Sequence, residues 1–404
     1  MSQPCLDGIR VLDFTRVLAG PFSTALLADL GAEVIKIETP EGDDYRHIPP
    51  VSEGTGGLFL LLNRGKKSLS LDLRHERGRE IARRLAARCD VLVENFRPGV
   101  MERLGLGHDD LARANPRLVH VSISGFGHRN PMSDLPAYDL VIQAMTGFMD
   151  VSGEPDGPPM MTGEAVADLA AGLFASWSVL AALLAREKTG QGQFVDVAMY
   201  DCLSSFLPAA LAQHLYGNAS PTRVGNRHPL GAPFGVFAAA DGHYTVAVLN
   251  PRQFDRLAEA IGRPELGRDP RFRDNSLRTD NHAPLKAYIE AWSGTLPVAE
   301  VVATLQRHDV PCSPILTVAD AVESPHARMR GLLRTLETPE GRRVTTMTQP
   351  VRFSAMPAAP VLPPPALGAD GGDVLADLLG MDGAEIAELA GAGVIFGMAT
   401  NGRT

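Results

Sequence analysis

Over residues 1–130 the chain alternates between two hydrophobic periods. Runs with strand character occur at 9–14 (IRVLDF), 33–38 (EVIKIE), 68–73 (SLSLDL), 90–95 (DVLVEN) and 118–124 (LVHVSIS). Stretches with helical spacing separate them, as at 22–31 and 77–89. Strands alternating with helices predict βαβ units and a mostly parallel sheet covered on both faces. Such sheets bind ligands beyond the carboxyl ends of their strands. That rule points to TRVLAGP (15–21), ETPEGDDYR (38–46), ENFRPG (94–99) and SGFGHR (124–129). A long apolar helix then starts at Asp168 and meets no charge until Arg186, and another strand-like run follows at 193–201. Asp168 is the odd residue. A carboxylate heading an apolar segment is either a helix start favoured by the dipole or a group placed there for chemistry. The local pattern allows both.

The second half changes character. Residues 217–235 are rich in Gly, Pro and Arg and read as a linker. A hairpin turning at Asp241-Gly242 is expected over 235–248, with helices near 251–262, 281–293 and 297–308, forming a smaller α+β unit. A β-type segment at 332–354, a proline-rich strap at 357–368 and a helix at 382–394 lead back to the first domain. The expected division is a large domain begun by 1–216, a linker and small domain over 217–330, and a return segment, 331–404, completing the large domain.

With 404 residues and 45% hydrophobic content, two or three domains can bury sizeable cores. A net charge of −9 and a pI near 5.7 argue against nucleic acid as a partner. Cys5, Cys89, Cys202 and Cys312 form no CxxC pair, so free thiols and a cytoplasmic setting are expected. The N-terminal stretch lacks the basic and apolar regions of a signal peptide. Leu169–Ala185 is short for a membrane span and carries Gly172, Ser176 and Ser178, which predicts a buried core helix and no membrane partner. No Walker A, HExxH or GxSxG pattern occurs, GFGHRN lacks the third glycine of a dinucleotide fingerprint, and the histidines are scattered. Metal and nicotinamide chemistry are not expected.

Several stretches in order, DFTRVLAGPF, LGAEVIKIETPEGDDYR, NRGKKSLSLDL, ENFRPGVMERLGL, AYDLVIQAMTGFM and LLAREKTGQGQFVDVAMYD, closely resemble the class III CoA-transferases, a group that includes α-methylacyl-CoA racemases. The resemblance is dense from residue 7 to about 240 and looser beyond. It implies an α/β fold: a Rossmann-like large domain built from both termini, a small middle domain, and a homodimer of interlocked rings. It implies coenzyme A as a substrate, with no further cofactor. Asp168 falls where the transferases carry their nucleophilic aspartate, and the helix N-terminus is expected to keep it ionised despite burial. Contacts to CoA are implied for Val17, Ala19, Leu71, Arg74, Asn95, Phe96, Arg103 and Tyr138. Some members carry an arginine straight after KIE, where this chain has Thr39; Arg46 or Lys66 is the expected substitute.

Racemases of the group use a histidine in the AYDLV motif and a glutamate near VLNPRQF, and this chain has Tyr138 and Asn250 there. Neither suits proton abstraction at neutral pH, which favours transfer. A non-catalytic CoA-binding protein is the alternative of another class, with Asp168 only a helix start. A closed site needs cations for a free carboxylate, and Arg46, His47, Arg227 and His228 are the expected ones, with Tyr45 and Arg223 beside them. Small dicarboxylates follow as acids: succinyl-CoA as donor, and itaconate, mesaconate, malate or a glutarate as acceptor. The glycine run of some formyl-type transferases is missing before the small domain, which argues against oxalate or formate.

Overall fold

The strand-like runs of the first half assemble into one sheet. Its strands are β1 (Arg10–Asp13), β2 (Glu33–Glu38), β3 (Lys66–Leu71), β4 (Val91–Glu94), β5 (Val119–Ser124) and β6 (Gln193–Ala198). The computed structural model describes residues 3–217 and 220–397. Asn218 and Ala219 of the expected linker, and the first residues read for a signal peptide, lie outside the described residues. The chain divides into two units. One comprises Met1–Thr146, Gly163–Phe206 and Pro325–Thr404; the other comprises Gly147–Thr162 and Leu207–Ser324.

In the first unit, helices α1 (Ala19–Asp29), α2 (Glu76–Ala86), α3 (Asp139–Met145) and α4 (Val166–Thr189) lie between strands, and α5 (Met199–Ser204) follows β6. After the second unit come the hairpin β7 (Leu333–Glu337) and β8 (Arg343–Met347), then α6 (Gly371–Leu379), α7 (Gly383–Gly391) and β9 (Ile395–Phe396). The seven-stranded sheet runs β9-β3-β2-β1-β4-β5-β6. All its pairs are parallel except β9 on β3. Leu12 sits in register with Ile35 on one side and Leu92 on the other. These strands are apolar almost throughout because both faces are covered. Ile81 and Leu85 of α2, and Leu375, Leu389 and Ile395 from the chain's end, share one core with Leu12, Leu69 and Leu92.

Helix α4 ends where Gly190 takes a left-handed conformation (φ 73°), a common helix stop. Among the described residues it is the one helix long and apolar enough to cross a membrane. The expectation of a buried core helix holds for one face only. Ala167, Ala171, Ala175, Val179 and Ala182 are buried, and the helix packs against α1. The other face exposes Leu173, Trp177, Leu180 and Leu184. Gly172 lies at the crossing with α1. A Cβ there would sit 2.5 Å from the Ala19 carbonyl oxygen and 2.9 Å from the Phe22 ring, so only glycine admits this approach.

The second unit is an antiparallel three-stranded sheet with Gly242–Ala247 between Phe234–Ala239 and Cys312–Pro314. Helices Pro251–Ala260, His282–Ser293 and Val298–Arg307 close over Phe237, Tyr244, Phe254, Phe272 and Ile289.

Candidate active site

Two clefts open beyond the carboxyl ends of β1, β2, β4 and β5, around the point where strand order reverses between β1 and β4. One, of about 230 Å³, is lined by Phe14, Thr39, Leu71 and Arg74 among others. The second, of about 400 Å³, is lined by Val17, Ala19, Asn95, Tyr138 and Asp168 among others. Arg16 and Phe96 line both clefts and join them.

The loop between β1 and α1 is clamped from both sides. Asn95 accepts the Arg16 N–H (2.9 Å) and donates its Nδ2 to the Arg16 carbonyl (2.8 Å). From the other side Asp43 accepts the Val17 N–H at 3.2 Å. Asp43 is itself fixed by Lys36 at 2.9 Å, and the Lys36 Nζ also donates to the Thr15 carbonyl at 2.7 Å. Both charged side chains are fully buried, and each holds the other ionised against the penalty of burial. Between the clamps Val17 adopts φ 69°. A β-branched residue there is a strained outlier that survives only where its surroundings over-determine it. The outcome is a fixed position for the next turn, where Ala19 opens α1.

Asp168 lies in the first turn of α4, partly buried. Burial first, and then the neighbouring Asp139 charge, push its carboxyl up to about 7, and the nearby Ala19 backbone N–H opposes the rise. This corrects the expectation that the helix N-terminus keeps Asp168 ionised. The Oδ1 of Asp139 accepts the Ala167 N–H at 2.7 Å and lies 3.4 Å from the Asp168 nitrogen. Asp139 thus occupies the helix N-terminus and brings a like charge as well. Its Oδ2 accepts from Gln143 Nε2 at 2.6 Å, which fixes its orientation.

Of the sequence-predicted residues, Val17, Ala19, Asn95, Phe96, Tyr138 and Asp168 gather around the larger cleft, and Leu71 and Arg74 line the smaller. Arg74 is exposed and pairs with Asp72 at 2.9 Å. Arg103 lies at the exposed end of the short helix Val100–Arg103 and lines neither cleft. Arg46 is a correction. It is 7% exposed, it forks onto Glu38 through Nε and Nη2 (both 2.7 Å), it donates to the Pro365 carbonyl at 3.2 Å, and it covers the Phe59 ring. With its charge matched by Glu38 and four of its five N–H donors engaged, it is not available to a substrate carboxylate. Lys66 is likewise buried on Asp13 (2.9 Å), Asn63 (2.9 Å) and the Pro21 carbonyl (3.1 Å), so it cannot replace a CoA contact at Thr39. Burial lowers its ammonium to about 8. His47 lies on the surface with Nε2 2.9 Å from the Glu41 carbonyl. Arg227 and His228 belong to the second unit; His228 stacks on Phe234, and Arg223 pairs with Asp150 at 3.2 Å. Asn250 caps the helix Pro251–Ala260 by accepting the Gln253 N–H at 2.9 Å.

Sequence reasoning missed two residues. Arg16 lines both clefts and pairs with Asp44. It stands in the TRVLAGP loop already singled out, but one arginine in a loop gives no local signal. Asp139 follows Tyr138 directly, and its effect on Asp168 depends on two helix starts meeting in space.

A family model described as CoA-transferase family III matches residues 6–371. An acetyl-CoA:oxalate CoA-transferase of Acetobacter aceti is 44% identical over 329 residues, covering 81% of this chain and 85% of that protein. A succinyl-CoA:mesaconate CoA-transferase of Haloarcula hispanica is 40% identical over 368 residues, covering 88% and 91%. The crystal structure of a CAIB/BAIF family protein from Brucella suis superposes with a TM-score of 0.83 at 39% identity, covering 94% of this chain and all (100%) of that one. The parallel-dominated sheet, the clefts at its switch point and these similarities agree: the chain is a CoA-transferase and belongs to CoA-transferase family III.

Proposed function

We propose that this enzyme moves CoA from an acyl-CoA, with succinyl-CoA the expected donor, to a small dicarboxylic acid through covalent intermediates on Asp168. The observation that carries the mechanism is the Asp168 carboxylate itself, lining a 400 Å³ cleft beside Ala19 at the start of α1. The ionised carboxylate attacks the thioester carbonyl, forming a mixed anhydride and expelling CoA thiolate. The thiolate attacks the aspartyl carbonyl, releases the donor acid as its carboxylate, and leaves an aspartyl-CoA thioester. The acceptor carboxylate then attacks this thioester, and the thiolate expelled a second time takes the new acyl group and frees Asp168. No net proton is consumed. Partial desolvation and fixed placement make a weak nucleophile competent. In this reading the phosphates of CoA lie toward Arg16 and Arg74, and its thioester reaches Asp168. Guanidinium groups suit phosphate through paired hydrogen bonds.

The choice of acid rests on similarity. The two curated relatives described above are named for oxalate and mesaconate, both dicarboxylates. The missing glycine run therefore no longer argues against oxalate, which joins mesaconate, itaconate, malate and glutarates as candidates. The test is Asp168→Ala. Its rate of CoA transfer from succinyl-CoA to labelled dicarboxylates should fall at least about a thousandfold, the scale on which nucleophile removal acts. Borohydride should trap the acylated side chain in the wild type alone. Full activity in the variant would sink the mechanism.

A racemase reading finds little support. Asn250 is occupied as a helix cap and cannot titrate. A non-catalytic CoA-binding protein would need an idle Asp168. We also propose a homodimer, supported by the exposed apolar stripe of α4, and a cytoplasmic setting, supported by four free cysteines.

A further inference from the structure

A third cleft lies by the amino end of β2, away from Asp168. The Asp168 cleft is built from residues that follow β1, β4 and β5 at their carboxyl ends. The other, of about 470 Å³, is lined by Asp29 and Leu30, which lead into the amino end of β2, and by residues of 328–361. Four arginines line it: Arg328, Arg330, Arg334 and Arg352. That is a dense positive patch on a chain whose net charge is −9.

Of these, Arg330, Arg334 and Arg352 are not neutralised from within. Arg330 donates to the Pro350 carbonyl at 3.1 Å, and Arg352 donates to the carbonyls of Met329 (3.1 Å) and Arg330 (2.6 Å). Carbonyl partners orient a guanidinium but leave its full charge. Arg330, Arg334 and Arg352 have no carboxylate partner among the described residues. Asp29 is the acidic residue in the lining, and the buried Arg64 already holds it through Nε (3.0 Å) and Nη2 (2.5 Å). Beside the arginines, Leu333, Val351 and Phe353 expose 39%, 55% and 51% of their surface in the same cleft. Oriented cations next to an apolar wall match an anionic head joined to an apolar body. Hairpin pairing and the Thr348 hydroxyl, bonded to the Gly331 carbonyl at 2.6 Å, hold the Leu333 part of the wall in place.

We propose that this cleft binds a phosphorylated amphiphile, with its phosphate on Arg330, Arg334 and Arg352 and its apolar body against Val351 and Phe353. A nucleotide polyphosphate and an alkyl phosphate share this chemistry, and the experiment separates them. The full-length enzyme is titrated calorimetrically at 0.15 M salt with ATP, with dodecyl phosphate below its micellar concentration, and with pyrophosphate, and the arginine variants below separate binding here from binding in the transfer site. Saturable binding of ATP or dodecyl phosphate is expected, at least tenfold tighter than pyrophosphate, and the tighter ligand names the body. Arg334→Ala combined with Arg352→Ala should weaken that binding at least tenfold with CoA transfer unchanged. Arg334→Glu breaks no hydrogen bond seen in the structure and carries the test alone if the double variant melts early. Three results overturn the proposal: neither amphiphile binds, pyrophosphate binds as tightly, or the folded variants bind like the wild type.

Discussion

At the residue scale the chemistry turns on one carboxyl and the charge beside it. Asp168 titrates near 7, so acidification through that value protonates the nucleophile, and kcat/KM should fall about tenfold per pH unit below it. Asp139→Asn removes the like charge yet keeps an oxygen able to accept the Ala167 N–H. The Asp168 pKa then drops, and the acid limb of the profile moves to lower pH. A pH–rate profile identical to the wild type would show that Asp139 does not set this pKa. Burial also pushes Glu94, whose Oε2 accepts the Phe96 N–H at 2.8 Å, up to about 7. Asp139→Asn leaves that second group in place, so the shift belongs to Asp168. Much of this constellation could be read from the chain: a carboxylate heading an apolar helix, and loop residues after strands. What could not be read was how charges pair. Arg46 looked free for substrate because its partner, Glu38, closes a strand and meets it only after the loop between them folds back. Lys66 and Asp13 are paired across three strands of the sheet.

At the element scale, the decisive contact is α1 against α4. Asp168 starts one helix and the Ala19 N–H starts the other, so their distance depends on how closely the helices cross. Gly172→Ala places a methyl group against the Ala19 carbonyl. Overpacking of this kind destabilises by about 1–3 kcal/mol, partly offset by the better helix propensity of alanine, worth about 1 kcal/mol. Melting temperature should change by a few degrees at most, while kcat falls far more, since a shift near 1 Å at a reacting group can remove about a hundredfold in rate. Equal losses in stability and rate, or an unchanged kcat, would refute this. The parallel strands and the longer helices followed from periodicity, because continuous apolar runs and amphipathic spacing are local signals; α3, α6 and the strand Cys312–Pro314 were not read. β9 did not. Ile395–Phe396 is two residues long, and only its antiparallel pairing with Leu71 and Ser70 makes it a strand.

At the scale of the whole molecule, α4 presents Leu173, Trp177, Leu180 and Leu184 at helical spacing, with Trp177 and Leu184 each 63% exposed. An exposed apolar stripe of this kind marks a contact surface. Trp177→Glu with Leu184→Glu should convert the proposed dimer into monomers in sedimentation velocity, with the fold retained by circular dichroism. A dimer that persists at micromolar concentration would place the interface elsewhere.

The main sheet joins residues near both ends of the chain: β1 begins at Arg10, and its outermost strand, β9, ends at Phe396. A ribosome releases the first six strands long before the seventh exists, and the larger segment of the second unit, Leu207–Ser324, emerges in between. During that interval β3 offers an unpaired edge, the kind of surface on which nascent chains aggregate. The second unit, by contrast, draws almost all its residues from one continuous segment and can close as soon as it clears the exit tunnel. Synthesis therefore sets the order of assembly, with the second unit completed before the seventh strand joins the main sheet.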